Sequence, residues 1–230
     1  MSDEPSKKPG LITSLLRRDL SAPRAKPPSP TLMVLGAAAG GGAGALLGHS
    51  SVMLLSSAVP GAGLWLKGPH GPPFFDLALY TAVGYGLLGA GLCQEDRRVK
   101  GAAAGFLLPL SAILLPMAAA TRLFHWGEDP FAEPTLAWFY LTSAVYLVAA
   151  AGALLTLGRL EGRRWKAGGG ALLGALGGYL MGLGVMRLFP SLQSSAPAGL
   201  LPPGGLFLDG LLSGGSVGLG VALTRRKPSS

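Results

Sequence analysis

The chain is short of charge and nearly without cysteine, and each shortage closes off a class of protein. Charged residues make up 13% of the sequence against 49% hydrophobic, too few to give an ordinary domain a water-facing surface. Cys93 is the lone cysteine, which excludes an internal disulfide framework and leaves it reading as a small apolar packing residue. None of the glycine runs leads into Gly-Lys-Ser/Thr, so they are not phosphate loops. His49, His70 and His125 include no pair at i, i+4 and have no cysteine beside them. Even with Glu128, Asp129 and Glu133 near His125, no metal set with ligand spacing is present. No cofactor is expected.

What the chain has in abundance is apolar sequence and glycine. Apolar runs near 20 residues cover about 32–57, 74–93, 101–121, 135–157, 167–188 and 204–224, each long enough to cross a bilayer as a helix. The expected fold is therefore all-α: a polytopic membrane protein of six transmembrane helices, whose first partner is the lipid bilayer. Within the runs, Gly36, Gly40, Gly44 and Gly48 recur every four residues, as do Gly170, Gly174, Gly178 and Gly182, and then Gly210, Gly214 and Gly218. Such spacing gives one helix face a strip without side chains. In water each glycine would cost a helix roughly 1 kcal/mol relative to alanine. In lipid the backbone must bond to itself, and the bare strip allows a second helix to approach closely. Glycine-ladder packing is the expectation.

The formal charge of +8 raises nucleic-acid binding, and the placement of the charges argues against it. Of the 19 Lys and Arg, 16 fall within 1–30, 94–100, 159–166 and 225–227, which lie on one side of a six-span topology. The opposite side holds only Lys67, with Arg122 and Arg187 at helix ends. By the positive-inside rule both termini are cytoplasmic and the membrane is an inner, cytoplasmic one. No aromatic and basic surface accompanies the charge, so no nucleic-acid partner is expected.

Three regions follow: a cytoplasmic tail at 1–30, a transmembrane domain at 31–226 and a short cytoplasmic tail at 227–230. In the first tail Leu11, Ile12, Leu15, Leu16 and Leu20 share a helical face beside Arg17 and Arg18, the pattern of a short interfacial helix. Pro27, Pro28 and Pro30 stop it before the first span. The tail is too long in its positive region, and too interrupted by acids, for a cleaved signal peptide.

An internal duplication covers about 72–124 and 134–189. Arg97-Arg98-Val99-Lys100 answers Arg163-Arg164-Trp165-Lys166, and Arg122-Leu123-Phe124 answers Arg187-Leu188-Phe189. A unit of two spans returns to the same side, so these hairpin repeats are parallel. The sixth and first spans read as two halves of a third, permuted copy. Three hairpins are similar to mitochondrial carriers in span count and repeat order. The acidic and basic signature that those carriers place after a helix-kinking proline is absent around Pro109 and Pro116, and no family is assigned. Rhomboid-type proteases also have six spans, yet Ser213-Gly214-Gly215-Ser216 lacks Gly-x-Ser-Gly and no histidine follows on the required helix.

The remaining chemistry is a set of charges near the outer boundary: Asp76 and Asp209 early in spans two and six, Arg122 and Arg187 at the ends of spans three and five. Two accounts compete. The arginines snorkel to headgroups while the aspartates favour helix N-termini, or the four pair across helices around an outward-facing vestibule. No carboxylate is placed at mid-membrane. The leading expectation is a non-enzymatic inner-membrane protein serving as a structural or assembly subunit, with other membrane proteins or further copies of itself as partners. The alternative is a small-solute or ion transporter or channel subunit with that charged vestibule.

Overall fold

The computed structural model describes residues 29–58, 75–124, 136–162, 164–189 and 203–225, with side chains at 120–124 and 136–139 outside the description. Six helices result: α1 Pro30–Ala58, α2 Phe75–Leu92, α3 Arg98–Phe124, α4 Leu136–Gly162, α5 Trp165–Leu188 and α6 Pro203–Thr224, with a 3-10 turn at Glu95–Arg97. All six carry stretches long and apolar enough to cross a membrane, the architecture of a multi-pass membrane protein. The interfacial segment expected at 11–20, His70, His125 and the acids at 128–133 lie outside the described residues.

Local chemistry sets the boundaries. The Ser29 hydroxyl accepts from the Leu32 N–H at 3.2 Å, a side-chain cap for α1, and Pro30 follows at the first position, where no N–H is needed. Asp76 stands in the first turn of α2 and accepts from the Leu77 N–H at 2.8 Å, where a negative charge meets the positive end of the helix. Pro109 and Pro116 sit inside α3 without ending it. Proline is tolerated in a membrane helix when neighbouring groups satisfy the freed backbone.

Each helix packs on its neighbours in sequence, and α6 closes back on α1, so the six form a ring. The register along α1 and α2 is antiparallel: β-carbons placed on Gly36, Gly40, Gly44 and Gly48 would strike Gly91, Leu87, Gly84 and Tyr80 in turn. On α5, β-carbons at Gly170, Gly174, Gly178 and Gly182 would meet Gly220, Ser216, Ser213 and Asp209 of α6, and Gly210, Gly214 and Gly218 of α6 face Gly41, Ala37 and Met33 of α1. The atom met first is most often a backbone carbonyl oxygen, so these helices approach to distances at which Cα–H···O contacts form. Gly169, Gly177 and Gly184 of the same α5 have open space. Its glycines thus divide into a packed face and a free one.

Two apolar cores fill the ring. Met33, Ala37, Leu88, Leu92, Leu154, Leu157, Val217 and Val221 form one. Ala78, Ile113, Met117 and Ala149 form the other, between α2, α3 and α4. Large apolar residues such as Leu107, Leu115, Leu173 and Leu180 are exposed on the outside, as a bilayer requires.

Candidate functional site

Besides its contacts with α3 and α5, α4 touches both α2 and α6, which turns these three helices toward the middle of the ring. A cavity of about 160 Å³ opens there. Tyr80, Thr81 and Tyr85 come to it from α2, Tyr146 from α4, and Asp209 and Ser213 from α6. Leu88, Leu154 and Val217 line the same cavity and belong to the larger apolar core, so polar groups at one end give way to a hydrocarbon plug.

The polar end lies away from the basic segments. Asp209 is the seventh residue of α6 and Tyr80 the sixth of α2, and both helices run from that end toward the basic one. At 1.5 Å per residue Asp209 sits about 9 Å along its helix from Pro203. Tyr80 and Tyr146 line the same cavity as its carboxylate. Among the described residues it takes part in no hydrogen bond or ion pair. Asp209 Oδ1 occupies the room left by Gly182, 2.6 Å from where that residue's β-carbon would stand, and the Tyr80 ring uses Gly48 in the same way, with Cδ2 at 3.1 Å. Two of the ladder glycines thereby make space for cavity side chains.

The four charges expected at the outer boundary have different surroundings. Asp209 lines the cavity, Asp76 is bonded into its own first turn, and Arg187 is exposed in the last turn of α5. No ion pair joins Arg187 to Asp209. The Arg122 side chain is outside the description. Among the described residues no three His, Cys, Asp or Glu side chains gather in a metal-binding group, and His49 stands half-buried on α1.

A second polar assembly, at the basic end, had no counterpart in the sequence reading. Glu161, near the end of α4, is 2% exposed. Its Oε2 accepts from the Gln94 N–H at 3.1 Å, and its Oε1 stands 3.1 Å from Arg225 Nη2. The latter contact lacks the direction of a hydrogen bond and acts as an ion pair. Arg97 Nη1 donates to the Leu160 carbonyl at 2.7 Å. Three segments distant in sequence, 94–97, 160–161 and 225, are thus joined around one buried carboxylate. Arg159 stacks on Trp165 beside them, 4.1 Å from the ring centroid. Cys93 is buried next to this group, and burial, with the Glu161 charge adding, pushes its thiol up to about 12. The available signal was a lone acid, Glu161, among four basic residues at 159–166.

The fold and site define a class: a multi-pass, six-helix membrane ring with a cavity among α2, α4 and α6 that is polar at one end. The chain matches no protein-family model, no curated protein and no solved structure.

Proposed function

We propose that this chain is a non-enzymatic integral membrane protein that admits a small solute to the middle of its helix ring, as a transporter or channel subunit. The observation that carries the reading is the cavity among α2, α4 and α6, polar around Asp209 and the tyrosines and closed below by Leu88, Leu154 and Val217. Beneath that plug lies the Glu161 and Arg225 pair. A polar chamber, an apolar barrier and a bonded end are the parts that a path closed on one side requires. The three helices that meet at the cavity are the first halves of the two hairpin repeats and of the permuted third, so parallel repeats around one axis agree with this reading. Glycine-ladder contacts along α1, α5 and α6 supply the rigidity such a ring needs. In this reading, which the basic segments support, the bonded end and both termini face the cytoplasm across an inner membrane.

Reconstitution into liposomes tests it. Osmotic swelling followed by light scattering, over small neutral and charged solutes, should be faster than in protein-free vesicles for at least one solute. Rates equal to protein-free vesicles throughout would remove transport.

A structural or assembly subunit remains the second reading, and it has its own observation. An apolar furrow of about 580 Å³ runs between α2 and α3 past Val83, Leu87, Ala103 and Leu107, suited to a helix of another membrane protein or of a second copy. A stoichiometric companion that co-purifies in mild detergent and is released by Ala103→Phe would favour it.

A further inference from the structure

Building on the solute-cavity reading, we infer that the occupant is a small organic ammonium ion, held by Asp209 between Tyr80 and Tyr146. Charge is the first argument. Among the described residues that line the cavity, Asp209 is the one carboxylate, and none of them is Lys, Arg or His. Asp209 is half-buried, and a carboxylate partly withdrawn from water gains from an occupant of opposite charge.

Coordination is the second. Calcium binds through six to eight oxygens and magnesium through near-octahedral ones. One carboxylate, with no three-acid or histidine group among the described residues, falls well short. An ammonium ion asks for less: one counter-charge, aromatic side chains within cation–π range, and hydrocarbon for its substituents. Tyr80 and Tyr146 line the cavity with Asp209, and Leu88, Leu154 and Val217 supply the hydrocarbon. Size is the third. A cavity of about 160 Å³ has room for a methylated or short-chain ammonium.

The test uses the full chain in detergent with tetramethylammonium chloride as probe, against sodium chloride at equal ionic strength and tert-butanol as a neutral body of similar shape. Tetramethylammonium should raise the melting temperature saturably, beyond sodium chloride, and calorimetry on the wild-type protein should give one site per chain. Asp209→Asn should weaken apparent affinity by about tenfold or more, the loss of one charged contact. Tyr146→Leu should weaken it as well, more than Tyr146→Phe, which keeps the ring. An equal rise with sodium chloride, an unchanged response in Asp209→Asn, or no calorimetric site would overturn the inference. Saturable binding of tert-butanol as tight as that of tetramethylammonium would overturn the ammonium class while leaving a solute cavity in place. If none of the three shifts the melt and vesicles are impermeable to every solute, the cavity reading falls too.

Discussion

Asp209 Oδ1 stands 2.6 Å from the point where a β-carbon on Gly182 would lie. A ladder glycine on α5 therefore does more than admit a neighbouring backbone: it sets where the cavity carboxylate rests. Gly182→Ala should displace that carboxylate at little cost in stability, because the atom in the way is the free end of a side chain that can rotate. Gly184, two residues on, has nothing within 4 Å of its β-carbon position. Gly184→Ala should be neutral or slightly stabilising, since alanine is the better helix former. Calorimetric titration with tetramethylammonium checks the contrast: Gly182→Ala should weaken binding and Gly184→Ala should not, and equal affinities would show that Asp209 is not seated on Gly182.

The same contrast can be made away from the cavity. Gly174 faces the Ser216 carbonyl and Val217 Cα, the latter 3.0 Å from its β-carbon position, whereas Gly177 faces open space. Gly174→Leu should separate α5 from α6 and lower the melting temperature sharply, because the obstacle is backbone and cannot rotate away. Gly177→Leu adds an apolar side chain on the free side and should leave the melt nearly unchanged. A Gly174→Leu protein as stable as wild type would contradict close packing along α5.

The spans were legible because apolar runs of about 20 residues have one common fate, and the helices fall within a few residues of the runs. The largest departure is instructive. The fourth run was expected to stop near 157, where charges begin, yet α4 continues to Gly162. Glu161 stays helical and buried because Arg225, 64 positions later, comes to meet it, and no local pattern carries that partner. Asp76 and Asp209 also looked alike, each an acid early in a span. Spacing assigns a residue to a helix face, but only ring closure decides which face meets the centre, and it turned Asp209 inward while Asp76 bonded its own turn.

Cys93 offers a check on the basic end. It is 4% exposed, and its thiol is pushed up to about 12, so at pH 8 the reactive thiolate is a minute fraction. A water-soluble maleimide should label it very slowly in the folded protein and rapidly after denaturation in dodecyl sulfate. Raising the pH toward 9 should accelerate native labelling only in proportion to the rare thiolate. Prompt labelling of folded protein at pH 7 would mean that the packing around 93 and 101 is open.

The proposed sidedness can be tested directly. Cysteines introduced at Ser194 and Ser229, in a chain carrying Cys93→Ala, should react from opposite sides of the membrane: Ser194 from outside intact cells, Ser229 only after permeabilisation. Labelling of both from outside would reject six spans with cytoplasmic ends.

The joined basic end supplies the last test. Removing Arg225 leaves Glu161 buried with the Gln94 N–H as its remaining bond donor and Arg97 as a remaining cation nearby, and the cost should approach about 3–5 kcal/mol, that of a stranded buried charge. Arg225→Gln should therefore be strongly destabilising. Glu161→Gln should cost less, because its amide oxygen can still accept from Gln94 while no charge remains to be buried. In the double variant the stranded charge is gone, so its cost should fall below the sum of the single costs by more than the 0.3–0.5 kcal/mol that marks independent sites. Denaturation of the four proteins in one detergent gives the cycle. The contact is an ion pair at 3.1 Å with the arginine side chain 21% exposed, so raised salt should shrink the coupling only in part. Additive costs would mean that Glu161 is held by the Gln94 backbone alone, and that the end of α6 is not fastened to α4 through Arg225.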